Sequence, residues 1–170
     1  HSMGGRIVQR YLHSHEAPAA VLLASAPPRG LLPATIRFAA RHPGAFARAN
    51  LALSTKPIIG TPDLCREGLF APDTPQETVE RCYSRLQDES YRGYVGMLVP
   101  ALWPRVPRGV PLLVLGAGRD HLISRSDVES TARVYGTRAE FLDMGHDMML
   151  EPGWRQVADR ILAWLDDRNL

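Results

Sequence analysis

Three side chains far apart in the chain could together turn a hydroxyl into a nucleophile: Ser2, Asp120 and His146. A serine hydroxyl is a poor nucleophile until a base within hydrogen-bond reach takes its proton. Histidine suits that task, because an imidazole pKa of about 6.5 lets it accept and return a proton at neutral pH. A carboxylate on the far side of the ring fixes the tautomer and steadies the imidazolium. Losing it can cost such enzymes about 10⁴ in turnover. The string His1-Ser2-Met3-Gly4-Gly5 reads as the back of a G-x-S-x-G elbow, a sharp strand-to-helix turn that exposes the serine hydroxyl. Gly4 is the second glycine of that pattern, and Gly5 widens the clearance where a helix crosses neighbouring backbone. The first glycine would precede His1. The same string also matches a tag remnant, with His, Ser and Met ahead of a native start. Two partners downstream, in the right order and setting, weigh against that alternative.

Asp120 follows the apolar run Pro111 to Leu115 through Gly116-Ala117-Gly118-Arg119. It therefore falls at a strand's carboxyl end, where open parallel sheets place their ligand chemistry. His146 lies just past a further strand, and Gly145 lets the backbone turn sharply to deliver the imidazole to the same edge. Asp127, Asp143 and Asp147 are rivals for the acid. His121 is a rival base that reads as a loop residue beside Asp120. His13, His15 and His42 show no metal-ligand spacing with one another. Cys65 and Cys82 are too few for a disulfide framework or a zinc site and read as thiols of a helical region. No metal or cofactor is expected.

The elements that must position these residues follow from periodicity. A helix is predicted over about 4–12, with Ile7, Val8, Tyr11 and Leu12 on its apolar face. Strands are expected at 19–24, 111–115 and 139–142, the second as a continuous apolar run suited to a strand covered on both faces. Helices are expected at 35–40, 75–87 and 91–102, with Thr74 and Glu77 forming a capping box for the second. A second capping box, Ser126-x-x-Glu129, introduces a helix ending at Gly136. The last helix, over 154–167, turns Ile161, Leu162 and Leu165 inward. Strands alternating with helices predict an α/β fold with a parallel sheet. Three strands are few for this many helices, and the chain starts at His1 without an initiator Met. Both lead to the expectation of a C-terminal portion, cut through the elbow, whose N-terminal strands lie outside the sequence.

Composition narrows the classes. The chain has 170 residues, 45% hydrophobic and 22% charged, which suits one globular domain and excludes a disordered or fibrous chain. A net charge of +2, spread without a basic stripe, argues against nucleic acid as a partner. The longest apolar stretches are strand-length, far short of the ~20 residues that span a bilayer. No signal peptide is seen, any targeting segment would lie upstream of His1, and the location adopted is cytoplasmic.

Three strings carry a family likeness: H-S-M-G-G at 1–5, P-L-L-V-L-G-A-G-R-D-H-L-I at 111–123 and F-L-D-M-G-H-D-M-M-L at 141–150. With the closing W-R-Q-V-A-D-R-I-L-A-W-L at 154–165, the sequence resembles the α/β-hydrolase superfamily, specifically its serine esterases and lipases. The resemblance implies an α/β-hydrolase core from residues 1–30 and 105–170, with 31–104 as a helical lid and connecting helix. It implies Ser2 as nucleophile, His146 as base and then acid, Asp120 as its orienting partner, and the Met3 N–H as an oxyanion donor. A second donor would come from an N-terminal loop outside the sequence. Phe70, Met97, Trp103, Leu122 and Met148 are candidates to line an acyl pocket. The implied reaction is hydrolysis of a small-molecule carboxylic ester through an acyl-enzyme. Thioesterases, carbon–carbon bond hydrolases, peptidases and cofactor-free haloperoxidases share the same triad. A different class is also open: a non-catalytic fragment or interaction module that needs its missing N-terminal half, with 19–24 presenting an unpaired edge.

Overall fold

The computed structural model describes residues 1–101 and 109–170. The elbow leads into helix α1 (Ser2–Tyr11), followed by strand β1 (Ala20–Leu23). A helical segment comes next: α2 (Leu32–Arg41), α3 (Pro43–Ala52), a 3₁₀ turn (Lys56–Ile58), α4 (Pro62–Leu69), α5 (Gln76–Tyr83) and α6 (Tyr91–Gly96). The chain closes with β2 (Leu112–Ala117), α7 (Arg125–Val134), β3 (Ala139–Leu142) and α8 (Trp154–Asp166). Among the described residues the sheet is three-stranded in the order β1-β2-β3, and both pairings are parallel. Ala20 pairs with Leu112 and Val114 with Ala139, which leaves β2 central.

All six residues of β2 are buried, as a strand covered on both faces should be. Side chains alternate across a strand, so the two faces have different partners. Leu113, Leu115 and Ala117 pack with Met144, Met148, Val157 and Trp164, which places α8 on that face. Leu112 and Val114 pack with Leu12, Ile123, Val128 and Ala132, under α1 and α7. Gly116 is required by the second face, since a Cβ there would meet the Phe141 ring at 2.6 Å. Cys65, Leu69, Phe70 and Val79 form a third core inside the helical segment.

Several local expectations give way to tertiary structure. α5 carries no side-chain cap: its N-cap is Pro75, one residue past the predicted Thr74, whose hydroxyl donates to the buried Glu151 carboxylate at 3.1 Å. The capping box of α7 is Ser124 with Asp127, two residues before the predicted pair. On α1, Ile7 and Tyr11 are exposed, while Gly5, Arg6 and Gln9 are buried. The buried polar pair has work on that face: Arg6 donates to the Pro27 carbonyl and Gln9 to Ser25 Oγ and the Ala26 carbonyl. Leu162 on α8 is exposed, and Trp164 takes the buried position beside Val157. α5 and α6 end at Tyr83 and Gly96, short of the predicted limits, and residue 102 lies outside the described residues.

Asp127 fixes α7 to the loop after β1. Its side chain is 2% exposed, accepts from Ser124 Oγ, and forms a two-nitrogen contact with Arg29 at 2.9 and 2.6 Å. Burial raises its pKa, but Ser124 and Arg29 outweigh that and hold the carboxyl below its ordinary range. Asp127→Ala is expected to destabilise the fold by about 1–2 kcal/mol, as when a helix capping contact and a hydrogen bond from a charged group are lost together, read by urea unfolding at pH 7. The stabilisation is present above the unfolded carboxyl pKa and is lost as pH falls through the lower folded value. The difference between wild type and variant should therefore shrink on acidification.

Candidate active site

Two strand ends and one elbow converge at the carboxyl edge of the sheet. Ser2 opens α1 with φ 47°, a left-handed conformation rarely adopted by a residue with a Cβ. The turn is held from below: Ala26 N–H donates to the Ser2 carbonyl at 3.0 Å, and Gly5 lies against Ser25. A Cβ on Gly5 would fall 2.3 Å from Ser25 Oγ, whereas Gly4 has nothing within 4 Å. Clearance is thus needed at Gly5, where α1 crosses the end of β1, and Gly4 faces open space.

The loops after β2 and β3 are stitched together. Gly118 N–H donates to the Leu142 carbonyl at 2.6 Å and Arg119 N–H to the Met144 carbonyl at 2.9 Å. Asp120 Oδ1 accepts from the Leu122 and Ile123 amides at 2.7 and 2.9 Å, which leaves Oδ2 for His146 Nδ1 at 2.7 Å. A carboxylate only accepts, so Nδ1 carries the proton of a neutral ring and Nε2 is the acceptor. That acceptor lies 2.9 Å from Ser2 Oγ. Asp120 and His146 side chains are 0% and 2% exposed, so the bond between them is shielded from solvent. Ser2, His146 and Asp120 are thus joined in one hydrogen-bonded line.

The rivals are placed elsewhere. Asp127 caps α7, Asp143 is exposed beside Arg119, and His121 is exposed near Arg41. Asp147 faces His1, whose Nε2 lies 3.5 Å from Asp147 Oδ1 and 3.0 Å from the His146 carbonyl. Burial lowers the pKa of His146, but the charge and hydrogen bond of Asp120, with Asp147 adding, carry it above the ordinary imidazole range. Asp147 is itself pushed up, first by burial and then by Asp120 and Glu151, against the opposing pull of His146.

Ser2 and His146 open into a cavity of about 750 Å³. Its walls are mostly apolar, with Ile7 from α1, Leu31 and Phe38 at α2, Ile59 after the 3₁₀ turn and Leu86 after α5. Met97 and Leu122, among the predicted lining residues, are on this wall. Phe70 and Met148 are not: they are fully buried, in the helical core and under α8. Trp103 lies outside the described residues. Ile7, on the apolar face predicted for this helix, is exposed beside the elbow and forms part of the cavity wall. The first turn of α1 leaves the Met3 N–H ahead of the helix's first internal bond, from Gly5 N–H to the His1 carbonyl. His1, His146 and Asp147 offer ligand atoms within 4.8 Å of one another, the spacing of a possible metal site among the described residues. Both ring nitrogens of His146 are already taken, so an ion there would displace the Ser2 hydroxyl.

The family profile described as "Alpha/beta hydrolase family" matches residues 1–160, and the chain belongs to this family. Its fold is similar to an esterase from Exiguobacterium antarcticum (TM-score 0.61, 16% identity), covering 97% of this chain and 64% of that one. It is also similar to a thermophilic esterase from Thermogutta terrifontis (TM-score 0.59, 18% identity), covering 98% of this chain and 62% of that one. The chain therefore spans less than two thirds of the length of either structure. No curated protein sequence matches it. Among the described residues, no helix is long and apolar enough to cross a membrane.

Proposed function

We propose that this chain carries the nucleophile, base and acid of a serine hydrolase that cleaves a carboxylic ester through an acyl-enzyme. The observation that carries the reading is the line from Ser2 Oγ to His146 Nε2 (2.9 Å) and from His146 Nδ1 to Asp120 Oδ2 (2.7 Å), at the mouth of an apolar cavity. His146 takes the Ser2 proton as Oγ attacks the ester carbonyl carbon. The resulting oxyanion is met by the Met3 N–H, with the positive end of α1 behind it. Collapse of this intermediate breaks the ester C–O bond, and the alcohol leaves with the proton from His146. Water then attacks the acyl-serine by the same route, and the acid is released. Asp120 keeps its bond to His146 Nδ1 and holds the ring in the working tautomer.

In this reading the helices between β1 and β2 act as a lid, whose inner side supplies most of the cavity wall. Esters with an apolar acyl or alcohol group fit that lining. The fold is shared by many chemistries, so bond type has to be read from activity. A fluorophosphonate probe should label the protein, and mass mapping should place the adduct on the peptide that contains Ser2. A panel of ester, thioester and amide substrates of matched acyl length should show the ester as the preferred bond. Labelling elsewhere, or none, would sink the assignment. Preference for thioester or amide would keep the nucleophile and replace the reaction.

A further inference from the structure

The hydrogen bonds to Ser2 and Asp120 orient the His146 ring, but they do not hold the turn that carries it. That turn is gripped from the opposite side. Glu151 is 4% exposed, and one oxygen of its carboxylate accepts three bonds: from Ala71 N–H at 2.6 Å, Gly145 N–H at 3.1 Å and Thr74 Oγ at 3.1 Å. Gly145 immediately precedes His146, whereas Ala71 and Thr74 belong to the connection between α4 and α5. On the other flank, Asp147 N–H donates to the Leu69 carbonyl at 2.7 Å. The two segments touch between these bonds, since a Cβ on Gly145 would lie 2.4 Å from both Phe70 C and Ala71 N. Residues 69–74 and 145–151 therefore form one ledge, and Leu69 of that ledge lines the cavity.

We propose that Glu151 is a positioning residue: its buried carboxylate locks the turn carrying His146 onto the helical segment, so that the cavity wall and the base are placed together. This rests on His146 acting as the base of the proposed reaction. Glu151 does not line the cavity and touches none of the three reacting side chains, so its effect runs through the backbone of Gly145. An acceptor-only group satisfying three buried donors has no substitute if it is removed, and the cost of leaving those donors unpaired disfavours the docked arrangement of the two segments. A shift of about 1 Å in a catalytic group can cost about 10² in rate while leaving substrate binding nearly unchanged.

The test compares Glu151→Ala, Glu151→Asp and Glu151→Gln in the intact protein, by kcat, KM, rate of phosphonylation and thermal midpoint. Gln keeps an oxygen at the same reach and should stay within about fivefold of wild type in kcat. Asp withdraws the carboxylate by one methylene and should lose about tenfold in kcat; Ala should lose about 10². In each case KM should change by less than about threefold, and phosphonylation should slow in parallel with kcat. A folded Ala variant with wild-type kcat overturns the proposal. If Ala does not fold, the Gln and Asp variants decide: both at wild-type kcat, or both losing KM and kcat together, also overturns it. Wild-type protein that is never phosphonylated at Ser2 would instead be a failure of the hydrolase reading, visible before any variant is made.

Discussion

Ser2→Ala and His146→Ala are each expected to lower kcat on a short-chain ester by about 10⁶, and the double variant no further. The reason lies in the single bond from Ser2 Oγ to His146 Nε2 at 2.9 Å. An alanine at position 2 leaves nothing to attack the carbonyl. An alanine at position 146 leaves a hydroxyl whose proton has no acceptor, because Asp120 reaches only the far nitrogen. The two residues act as one device, so the second loss removes nothing that the first has left working. Residual turnover should reflect the Met3 N–H and substrate binding alone. Both variants should keep the wild-type far-ultraviolet circular dichroism, since neither side chain belongs to any of the three hydrophobic cores. Additive losses, with the double variant far below either single one, would mean that Ser2 and His146 serve separate steps.

What the sequence makes legible is uneven, and the reasons are physical. β2 is visible because a strand covered on both faces must be apolar throughout, and Leu112 to Leu115 with Ala117 read that way. Asp120 and His146 are visible because each follows a strand and a glycine, at the edge where parallel sheets expose their loops. Capping was less legible. Ser124 and Ser126 both begin an S-x-x-acid string, and local spacing cannot choose between them. Arg29, nearly a hundred residues upstream, decides the matter by pairing with Asp127. Thr74 and Glu77 have suitable spacing too, but the helix starts one residue later, with Pro75 at its N-cap, and the Thr74 hydroxyl serves Glu151 instead. The cavity wall was the least legible part. Phe70, Met97, Leu122 and Met148 are equally apolar in sequence, and only the path of the helical segment decides which of them faces the cavity. Glu151 gave no signal, since one acidic residue before Pro152 looks like a surface position until its three donors are seen.

Asp120→Asn is expected to lower kcat by about 10⁴ with little change in stability. An asparagine oxygen can still accept from the Leu122 and Ile123 amides, so the loop after β2 should keep its shape. The second atom of the group now donates, and a donor facing His146 Nδ1 favours the wrong tautomer. Nε2 then carries the proton and cannot take one from Ser2. The pH profile gives an independent check on the same bond. Asp120 is the leading influence raising the His146 pKa against burial, with Asp147 adding to it. The neutral ring is the working base, so in wild type the acidic limb of kcat/KM should lie above the ordinary imidazole value. Removing a raising charge lets the ring deprotonate at lower pH, so the limb should move down in both Asp120→Asn and Asp147→Asn, and further in the first. Asp147→Asn should otherwise keep kcat within about fivefold at neutral pH, because Asp147 faces His1 and makes no bond to the His146 ring. If the large loss followed Asp147 and spared Asp120, the orienting carboxylate would be Asp147. A limb moving upward in either variant would mean that the titrating group is not His146.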